Sequence, residues 1–248
     1  MVVQIPVKER VHTRLPLPLL RTITLPQAET EDKIKYPESD GTPMAETDVH
    51  RDLMSDALLH PLKERYRNDP DVYVSGNLFL YYEEGNPSAV VAPDVFVVFG
   101  VPKRQRRIYK LWEENKAPDI VLELTSDSTY REDLSDKRLI YESIGVREYF
   151  LFDPLRDYLT PPLQGFRLTS SYYVAIMPEQ WTGGEWQIYS EVLNLMLRSN
   201  GSTLRLYDPL SEQYLLSGSE EAEAHRRAEE RAQAAEAELA RLRATLAQ

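Results

Sequence analysis

The sequence predicts an α/β fold with a mixed sheet and helices packed on the faces of the sheet. Short apolar runs typical of buried strands lie at 72–82, 92–99, 119–125 and 148–152. Two longer segments, at about 47–67 and 131–143, have the residue spacing and end signals of helices. Helix, three strands, helix and strand in this order describe an α/β core with mixed strand pairing.

The ends of these elements have their own signals. The first helix is expected to begin near Thr47, because Asp48 and Asp52 are favoured near the positive N-terminal end of a helix. Pro61 has no backbone N–H and should kink this helix or end its first half. Glu-Glu-Gly-Asn-Pro between the first two strands is a hairpin-type turn. Gly145 occurs where the second helix needs a C-terminal cap.

The chain divides by composition into three parts. Residues 1–35 bear several prolines and little periodicity, which predicts an extended N-terminal arm. Residues 36–216 form the main domain, in which 163–216 alternates short apolar runs with turns and predicts a β-rich extension. Residues 217–248 are rich in Ala, Glu and Arg, which predicts a helical tail.

The tail has the apolar spacing of a coiled coil. Its apolar positions follow at intervals of 4, 3, 4, 3 and 4 residues, as in the a and d positions of heptads: Ala228, Ala232, Ala235, Leu239, Leu242 and Leu246. A solvated single helix is the alternative, because an alanine-rich seam of about three heptads is marginal alone. The apolar stripe favours contact with another copy of the chain, and a homodimer is the expected oligomer.

Composition excludes several classes of protein. The 248 residues include no cysteine, which excludes disulfides, Cys-ligated zinc, iron–sulfur clusters and thiol nucleophiles. The four histidines show no metal-ligand spacing. No apolar stretch approaches the roughly 20 residues of a membrane span, and no signal-peptide core is present, so a cytoplasmic protein is expected. The formal charge of -11 argues against a general nucleic-acid coat protein, but not against an enzyme with one basic patch.

Two acids lie at or inside apolar runs. Asp94 occurs in Ala-Pro-Asp-Val-Phe-Val-Val, and Glu123 occurs in Ile-Val-Leu-Glu-Leu-Thr. A carboxylate among buried apolar residues is costly unless it is paired or bound to a metal. Because Mg²⁺ prefers oxygen ligands and usually takes one or two carboxylates, Asp94 and Glu123 predict a site for Mg²⁺ or Mn²⁺. The alternatives are a turn residue for Asp94 and an ion pair for Glu123.

Lys137 is the candidate basic partner of these acids. Asp133, Lys137 and Tyr141 are spaced four residues apart, so they share one helix face. If that face turns toward the sheet edge, the Lys137 ammonium can reach the metal site. There it could orient the attacking water or stabilise the transition state. The alternative is an exposed Asp–Lys pair that contributes roughly a few tenths of a kcal/mol.

Further candidates lie before the first helix and in a basic run. Glu46 could supply a third acid, or it could be a solvated residue at the positive end of the helix. His50, one turn later, could contact phosphate, although a helix histidine is more often a packing or surface residue. One dense basic run predicts contact with a phosphate backbone, with a solvated loop as the alternative: Lys103, Arg104, Arg106, Arg107 and Lys110.

These motifs also carry a family resemblance. Pro93-Asp94 followed by Glu123-Leu124-Thr125 resembles the PD-(D/E)XK nuclease signature. The runs 43–50, 92–98 and 145–154, together with Lys137 to Tyr141, resemble the Uma-two family of restriction-endonuclease-like proteins. The resemblance covers roughly residues 36–216, and the tail resembles the helix that some members append.

The resemblance implies a restriction-endonuclease-like fold, a Mg²⁺ site and action on DNA. Asp94 and Glu123 match the metal-binding acids, and Glu46 matches the acid of the first helix. Lys137 matches the lysine that such members carry on the following helix. Thr125 occupies the position where the superfamily pattern has its lysine, so activity depends on Lys137 reaching the site.

The leading hypothesis is therefore a Mg²⁺-dependent DNA endonuclease with its nuclease domain at 36–216. One alternative is an inactive nuclease-derived protein that binds DNA or assembles through its tail. Another is a metal-dependent hydrolase of a different phosphodiester, which would share the site and differ in substrate.

Overall fold

A mixed six-stranded sheet forms the centre of the structure. The computed structural model describes residues 34–39, 47–127 and 129–246. Its strands, numbered along the chain, are β1 (Val72–Ser75), β2 (Leu80–Tyr81), β3 (Val90–Val91), β4 (Val95–Phe99), β5 (Tyr109–Lys110), β6 (Ile120–Leu124), β7 (Glu148–Phe152), β8 (Leu163–Leu168), β9 (Tyr173–Ile176), β10 (Glu179–Gln180), β11 (Trp186–Ser190), β12 (Leu195–Asn200), β13 (Thr203–Asp208) and β14 (Gln213–Tyr214).

The central sheet has the strand order β1-β4-β6-β7-β8-β9. β6 and β7 are parallel, whereas the other neighbouring pairs in this sheet are antiparallel. β4 pairs with β6 so that Val95 lies opposite Leu122 and Val97 lies opposite Ile120. The α/β class with a mixed sheet and the pairing of these two strands are therefore confirmed. Because β4 and β6 run in opposite directions, the start of β4 lies beside the end of β6.

Two further sheets surround the central one. β10 to β14 form a five-stranded antiparallel sheet in chain order, and β3, β2 and β5 form a small three-stranded sheet. The prediction of a wholly flanking extension after residue 163 was wrong for β8 and β9. These two strands instead continue the central sheet, because β8 pairs with β7 and β9 pairs with β8.

The predicted strand 72–82 is interrupted between β1 and β2. Gly76 lies so close to the neighbouring strand that a Cβ on it would be 2.0 Å from the carbonyl oxygen of Asp94. Asn77 follows with a positive φ of 48° and donates its backbone N–H to the carbonyl of Pro93 at 2.9 Å. The chain therefore leaves the central sheet next to Asp94 and enters the small sheet at Leu80.

One continuous helical segment precedes the sheet, and it consists of α1 (Asp48–Asp52), a π-helical stretch (Leu53–Leu59) and α2 (His60–Arg65). The Thr47 side chain caps α1 by accepting a hydrogen bond from the N–H of His50 at 3.2 Å. The N–H of His60 donates to the carbonyl of Ser55, five residues earlier. Pro61 follows in the first turn of α2, where a missing N–H is tolerated. The predicted helix is present, but its middle is irregular.

The later helices are α3 (Leu111–Glu114), α4 (Tyr130–Leu134), α5 (Asp136–Ile144) and α6 (Gly218–Leu246). The helix predicted at 131–143 is thus two helices, which separate at Ser135. Gly145 has a φ of 87° and donates its N–H to the carbonyl of Glu142, which confirms the predicted cap. α6 confirms the predicted helical tail. In the part of the chain that the structure describes, no helix combines the length and apolar character needed to cross a bilayer.

Both faces of the central sheet are buried. Val97 and Leu122 belong to an apolar cluster that includes the 48–65 helical segment and the five-stranded sheet. Phe96 and Val121, their neighbours along the strands, belong to a second cluster with α5 and the small sheet. Strands buried on both faces have continuous apolar sequences, which explains why an acid inside such a run is conspicuous.

A buried acid joins the central sheet to the five-stranded sheet. Glu148 on β7 is fully buried, and its carboxylate accepts hydrogen bonds from the Arg167 guanidinium at 2.8 and 3.0 Å. It also accepts from Ser190 Oγ at 2.5 Å and from the N–H groups of Glu191 and Val192 at 3.0 and 3.3 Å. This acid therefore fixes the turn after β11 against β7.

We expect Glu148→Ala to lower the free energy of unfolding by about 3–5 kcal/mol, because a buried charge that loses its partner is strongly destabilising. Urea denaturation measures this change. The matched control is Glu191→Ala, which removes a mostly exposed acid from the same Arg167 guanidinium and should leave the unfolding midpoint nearly unchanged. Equal effects of the two substitutions would contradict the role assigned to Glu148.

Candidate active site

Asp94 and Glu123 come together where the start of β4 meets the end of β6. Asp94 immediately precedes β4, and Glu123 is the fourth residue of β6. The Asp94 carboxylate accepts a hydrogen bond from the N–H of Leu124 at 2.7 Å. The N–H of Asp94 in turn donates to the Glu123 carboxylate at 3.3 Å. Strand pairing therefore holds the two predicted metal ligands side by side.

Glu123 is a buried acid with polar partners on both oxygens. Its residue is 1% exposed. Oε1 accepts a hydrogen bond from the Tyr141 hydroxyl at 2.6 Å, and Oε2 lies 3.2 Å from Lys137 Nζ. Burial raises the pKa of Glu123 to about 8, and the carboxylates of Asp94 and Asp133 add to the rise, although the Lys137 ammonium opposes it. The ionised form of this carboxyl therefore depends on the Lys137 ammonium and the Tyr141 hydroxyl for its stabilisation.

Lys137 brings a nearly buried ammonium between two acids. It lies on α5, with Nζ 2.9 Å from Asp133 Oδ1 and 3.2 Å from Glu123 Oε2. Burial by itself would lower the pKa of Lys137, but the carboxylates of Glu123 and Asp133 raise it above the ordinary value. Asp133 is itself buried, which raises the pKa of its carboxyl. Asp133 on α4 and Lys137 and Tyr141 on α5 therefore lie together beside Glu123 rather than in solvent.

Asp94 and Lys137 border a cleft of about 470 Å³. The α1 residue His50 faces it, with Nε2 3.3 Å from Asp94 Oδ1. The loop after β7 forms another side, and the buried Asp153 carboxylate organises this loop by accepting four backbone hydrogen bonds. The principal lining residues are His50, Asp94, Thr125, Lys137, Leu155 and Tyr158. The cleft thus places Asp94 and Lys137 beside apolar and aromatic side chains such as Leu155 and Tyr158.

The structure does not bring the predicted basic run into this cleft. The run borders a separate cleft of about 740 Å³ that shares no lining residue with the acidic one. The Arg104 and Arg106 guanidiniums pair with Glu114, and Arg107 pairs with Glu38. The Lys103 ammonium donates to the carbonyls of Tyr66 and Arg67. Arg106 has a side chain only 1% exposed and lies over the Tyr73 ring, so this residue stabilises the loop.

Other predicted and overlooked residues can be placed as follows. Glu46 lies outside the described residues. The hydrogen bond from Tyr141 to Glu123 was not predicted from the sequence, although the spacing of Tyr141 from Lys137 was the available signal. His50 was expected mainly as a packing or surface residue, and its spacing of four from Glu46 was the available signal for a role at the site. The isolated hydroxyl of Thr125 had no signal in the sequence beyond the absence of a lysine there.

A second cluster in the described structure has metal-ligating side chains. One ligand atom each from His60, Glu64 and Glu221 lies within 4.8 Å of the other two. His60 Nε2 is already hydrogen-bonded to Glu221 Oε2 at 2.6 Å, and Glu64 is paired with Arg67. This cluster joins α2 to the first turn of α6. Internal partners therefore account for it without an ion.

The acidic cleft fits a divalent cation by its donor set and its charge. Asp94, Glu123 and Asp133 supply three carboxyl groups near one ammonium, that of Lys137. Burial raises the pKa of Glu123, and a cation bound beside it would favour its ionised form. Carboxylate oxygens are the ligands that Mg²⁺ and Mn²⁺ prefer. Asp94 and Glu123 are the residues that would hold such an ion.

The fold and this site define an α/β protein with a buried acid–lysine cluster where the start of β4 meets the end of β6. A family model described as "Uma2: Putative restriction endonuclease" matches residues 21–176. The chain therefore belongs to the Uma2 family, as its sequence motifs predicted. A solved structure described as a "putative nuclease belonging to DUF820", from Anabaena variabilis, has 14% sequence identity and a TM-score of 0.39, and the match covers 54% of this chain and 69% of that one. A comparison with curated proteins found no match.

The raised pKa of Glu123 predicts a pH-dependent stability. Between its ordinary value of 4.5 and about 8, the native protein keeps a proton on Glu123 that the unfolded chain has lost. Stability should therefore fall as pH rises through this window. Glu123→Gln carries no ionisable group at this position, so its stability should lack this part of the fall between about pH 5 and about pH 8. Urea unfolding in the presence of a chelator, from about pH 5 to about pH 8.5, measures both curves.

The control for this prediction is Glu113→Gln, which changes an exposed acid paired with Lys110. It should follow the wild-type curve. Parallel pH profiles for wild type and Glu123→Gln would show that Glu123 has an ordinary pKa in the native protein.

Proposed function

We propose that this protein is a Mg²⁺-dependent DNA endonuclease that hydrolyses phosphodiester bonds in the acidic cleft. The observation that carries the proposal is the Lys137 ammonium, held at 3.2 Å from Glu123 and 2.9 Å from Asp133 beside Asp94. Burying such a group is costly and is weak support for stability alone, so a functional reason is favoured. The description of the Uma2 family supports the same class of activity.

Each residue of the cluster has a distinct task in this proposal. Asp94 and Glu123 hold the ion through carboxylate oxygens, and the bound ion supplies Lewis-acid activation of phosphate and water. Lys137 places a fixed positive charge where negative charge develops on the phosphate oxygens. Asp133 and Tyr141 are positioning residues, because Asp133 holds the lysine and the Tyr141 hydroxyl holds Glu123. Glu46 is proposed as a third acid of the site.

Contacts with the DNA backbone require positive charge outside the acidic cleft. Lys103, Arg104 and Arg107 border the second cleft, and the two arginine side chains are largely exposed there. Arg107 pairs with Glu38, a partly exposed acid that a phosphate can replace at small cost. Glu114, the partner of Arg104, has a mostly buried side chain and keeps Arg106 as a second partner when Arg104 turns to a phosphate. We therefore assign these three residues to phosphate contacts and Arg106 to support of the loop. Action in the cytoplasm, as expected from the sequence, is part of the same proposal.

An inactive DNA-binding or assembly protein is the second candidate. Thr125 replaces the signature lysine, and the net charge of -11 disfavours broad contact with DNA. The exposed apolar stripe of α6 supports an assembly role. The two candidates predict different results in one experiment. The endonuclease hydrolyses DNA through Asp94 and Glu123, and the inactive protein does not.

Plasmid nicking with Mg²⁺ or Mn²⁺ tests the proposed activity. We expect the wild type to cleave, and Glu123→Ala and Asp94→Ala to abolish cleavage because each removes a ligand of the ion. Lys137→Ala should lower turnover by about 10²–10³-fold, as the loss of one preorganised donor does elsewhere. It should leave the affinity for Mg²⁺, measured by calorimetry, nearly intact.

Two controls make this test specific. Lys116→Ala removes a lysine that pairs with a buried acid, Asp119, outside the cleft, and should cleave normally. Lys137→Arg should recover little activity, because a guanidinium places its charge differently from an ammonium. Wild-type cleavage by the Glu123→Ala protein would reject the proposed site, and an inactive folded wild type would favour the assembly role.

The tail helix is proposed to join two copies of the chain. Leu239, Leu242 and Leu246 are 53%, 51% and 87% exposed on α6, at the predicted a and d positions. Contacts at its start fix the helix to the domain, because Asp56 accepts from Ser219, and Arg205 pairs with Glu220. The exposed stripe lies beyond these contacts. A second copy would bury it in the pattern of a coiled coil.

We expect the wild type to be a dimer and the double variant Leu239→Lys, Leu242→Lys to be a monomer, because charge on the seam opposes apolar packing. Size-exclusion chromatography with light scattering measures the mass of each. Leu210→Lys is the matched control, since Leu210 is a highly exposed leucine in the turn between β13 and β14. A monomeric wild type, or a dimeric double variant, would contradict association through the tail.

A further inference from the structure

Thr125 has a buried hydroxyl at the wall of the acidic cleft. The residue is 1% exposed, and Oγ1 has no hydrogen-bond partner among the residues that the structure describes. A buried polar group left without a partner costs about 1–3 kcal/mol, and such groups in native proteins call for an explanation. Thr125 lines the cleft together with Asp94 and Lys137. Oγ1 itself exposes almost no surface, so a water in the cleft becomes its partner once the Thr125 side chain turns toward the cleft.

Strand geometry puts this hydroxyl on the side of the sheet where Glu123 acts. Side chains two residues apart in a strand point to the same face. Thr125 continues the pairing of β6, because its N–H donates to the carbonyl of Phe152 at 2.8 Å. The Lys137 ammonium reaches Glu123 from α5.

The Lys137 ammonium cannot meet every requirement of hydrolysis by itself. An attacking water has to be oriented by both donors and acceptors, so that a lone pair faces the phosphorus. An ammonium offers three donors and no acceptor, whereas a threonine hydroxyl offers one donor and two lone pairs. The oxygens of Asp94 and Glu123 are acceptors too, but they are committed to the ion in the proposed function. Ser126 and Thr129 also line the cleft, but their hydroxyls bond to each other, whereas Thr125 Oγ1 has no such partner among the described residues.

We propose that Thr125 Oγ1 accepts a hydrogen bond from the water that attacks the phosphodiester, and that Thr125 is a catalytic residue of this cleft. The inference rests on the proposed endonuclease function. The water oxygen forms a bond to phosphorus while the bond from phosphorus to the leaving oxygen breaks. One water proton ends on the leaving oxygen, and the other stays with the phosphate product or passes to solvent. Thr125 keeps its own hydrogen throughout.

Thr125→Val separates a catalytic hydroxyl from a structural one. The change keeps the branched shape and removes a hydroxyl that has no internal partner, so the midpoint of urea unfolding should stay equal or rise. Turnover on plasmid DNA should fall about tenfold, which corresponds to about 1.4 kcal/mol. KM and the calorimetric affinity for Mg²⁺ should stay unchanged, because Thr125 contacts neither the ion nor the DNA backbone. Thr125→Ser keeps the hydroxyl and should retain most of the wild-type turnover.

The matched control is Thr203→Val, on β13, where the threonine hydroxyl is exposed and donates to the carbonyl of Asn200. Its turnover should equal that of the wild type. Normal turnover by Thr125→Val overturns this inference alone. A loss of stability that Thr125→Val and Thr125→Ser share also overturns it, because packing would then explain the residue. A folded wild type that cleaves no DNA would reject the endonuclease proposal, and this inference with it.

Discussion

The Lys137 ammonium, buried between the carboxylates of Glu123 and Asp133, is the interaction on which the site depends. Neither acid can remain ionised in the interior without nearby positive charge, and burial raises the pKa of both. Removing one partner of a buried ion pair costs about 3–5 kcal/mol, because the remaining charge stays uncompensated. The charge balance of the two acids therefore depends on the packing of α5 against the sheet, because α5 carries Lys137. Asp94 adds further negative charge at the edge of this cluster.

The chain topology produces this arrangement through the connection between two parallel strands. β6 and β7 lie side by side, so the segment between them has to cross one face of the sheet. α4 and α5 make that crossing, and their packing places Lys137 and Tyr141 over Glu123. The Tyr149 hydroxyl on β7 donates to the carbonyl of Asp133 and fixes α4 from below. On the other side, the antiparallel pairing of β4 with β6 delivers Asp94.

Local patterns in the sequence sufficed to predict the central strands and the proximity of Asp133, Lys137 and Tyr141, although Asp133 lies on α4 and the other two lie on α5. Strands buried on two faces have continuous apolar runs, and helix faces follow from spacing by four. The position of Asp94 beside Glu123 was inferred from neighbouring strands, and the β4–β6 pairing confirms it. The membership of β8 and β9 in the central sheet was not predicted, because strand partners are set by contacts between distant segments. The break at Gly76 and the π-helical stretch before Pro61 were also missed, since both depend on close packing.

Surface charge was the least predictable part of the site. The basic run has the composition of a phosphate-binding segment, yet Arg106 is buried over Tyr73 and pairs with Glu114. Whether a guanidinium faces an internal acid or solvent depends on the loop geometry, which composition does not encode. Thr125 is a similar case, because its significance comes from the absence of an internal partner for Oγ1. Such a property becomes visible only when the neighbouring strands and helices are in place.

The measurement that tests the central claim most directly is anomalous diffraction from crystals of the protein grown with Mn²⁺. The account predicts a manganese peak about 2.1 Å from one oxygen of Asp94 and one oxygen of Glu123, the distance typical of small octahedral cations. Lys137 should remain beside the site, close to Asp133. A manganese peak at His60, Glu64 and Glu221 with none at Asp94 and Glu123 would contradict the account. It would show that the buried acid–lysine cluster is a structural ion-pair network and that the functional ion site lies elsewhere.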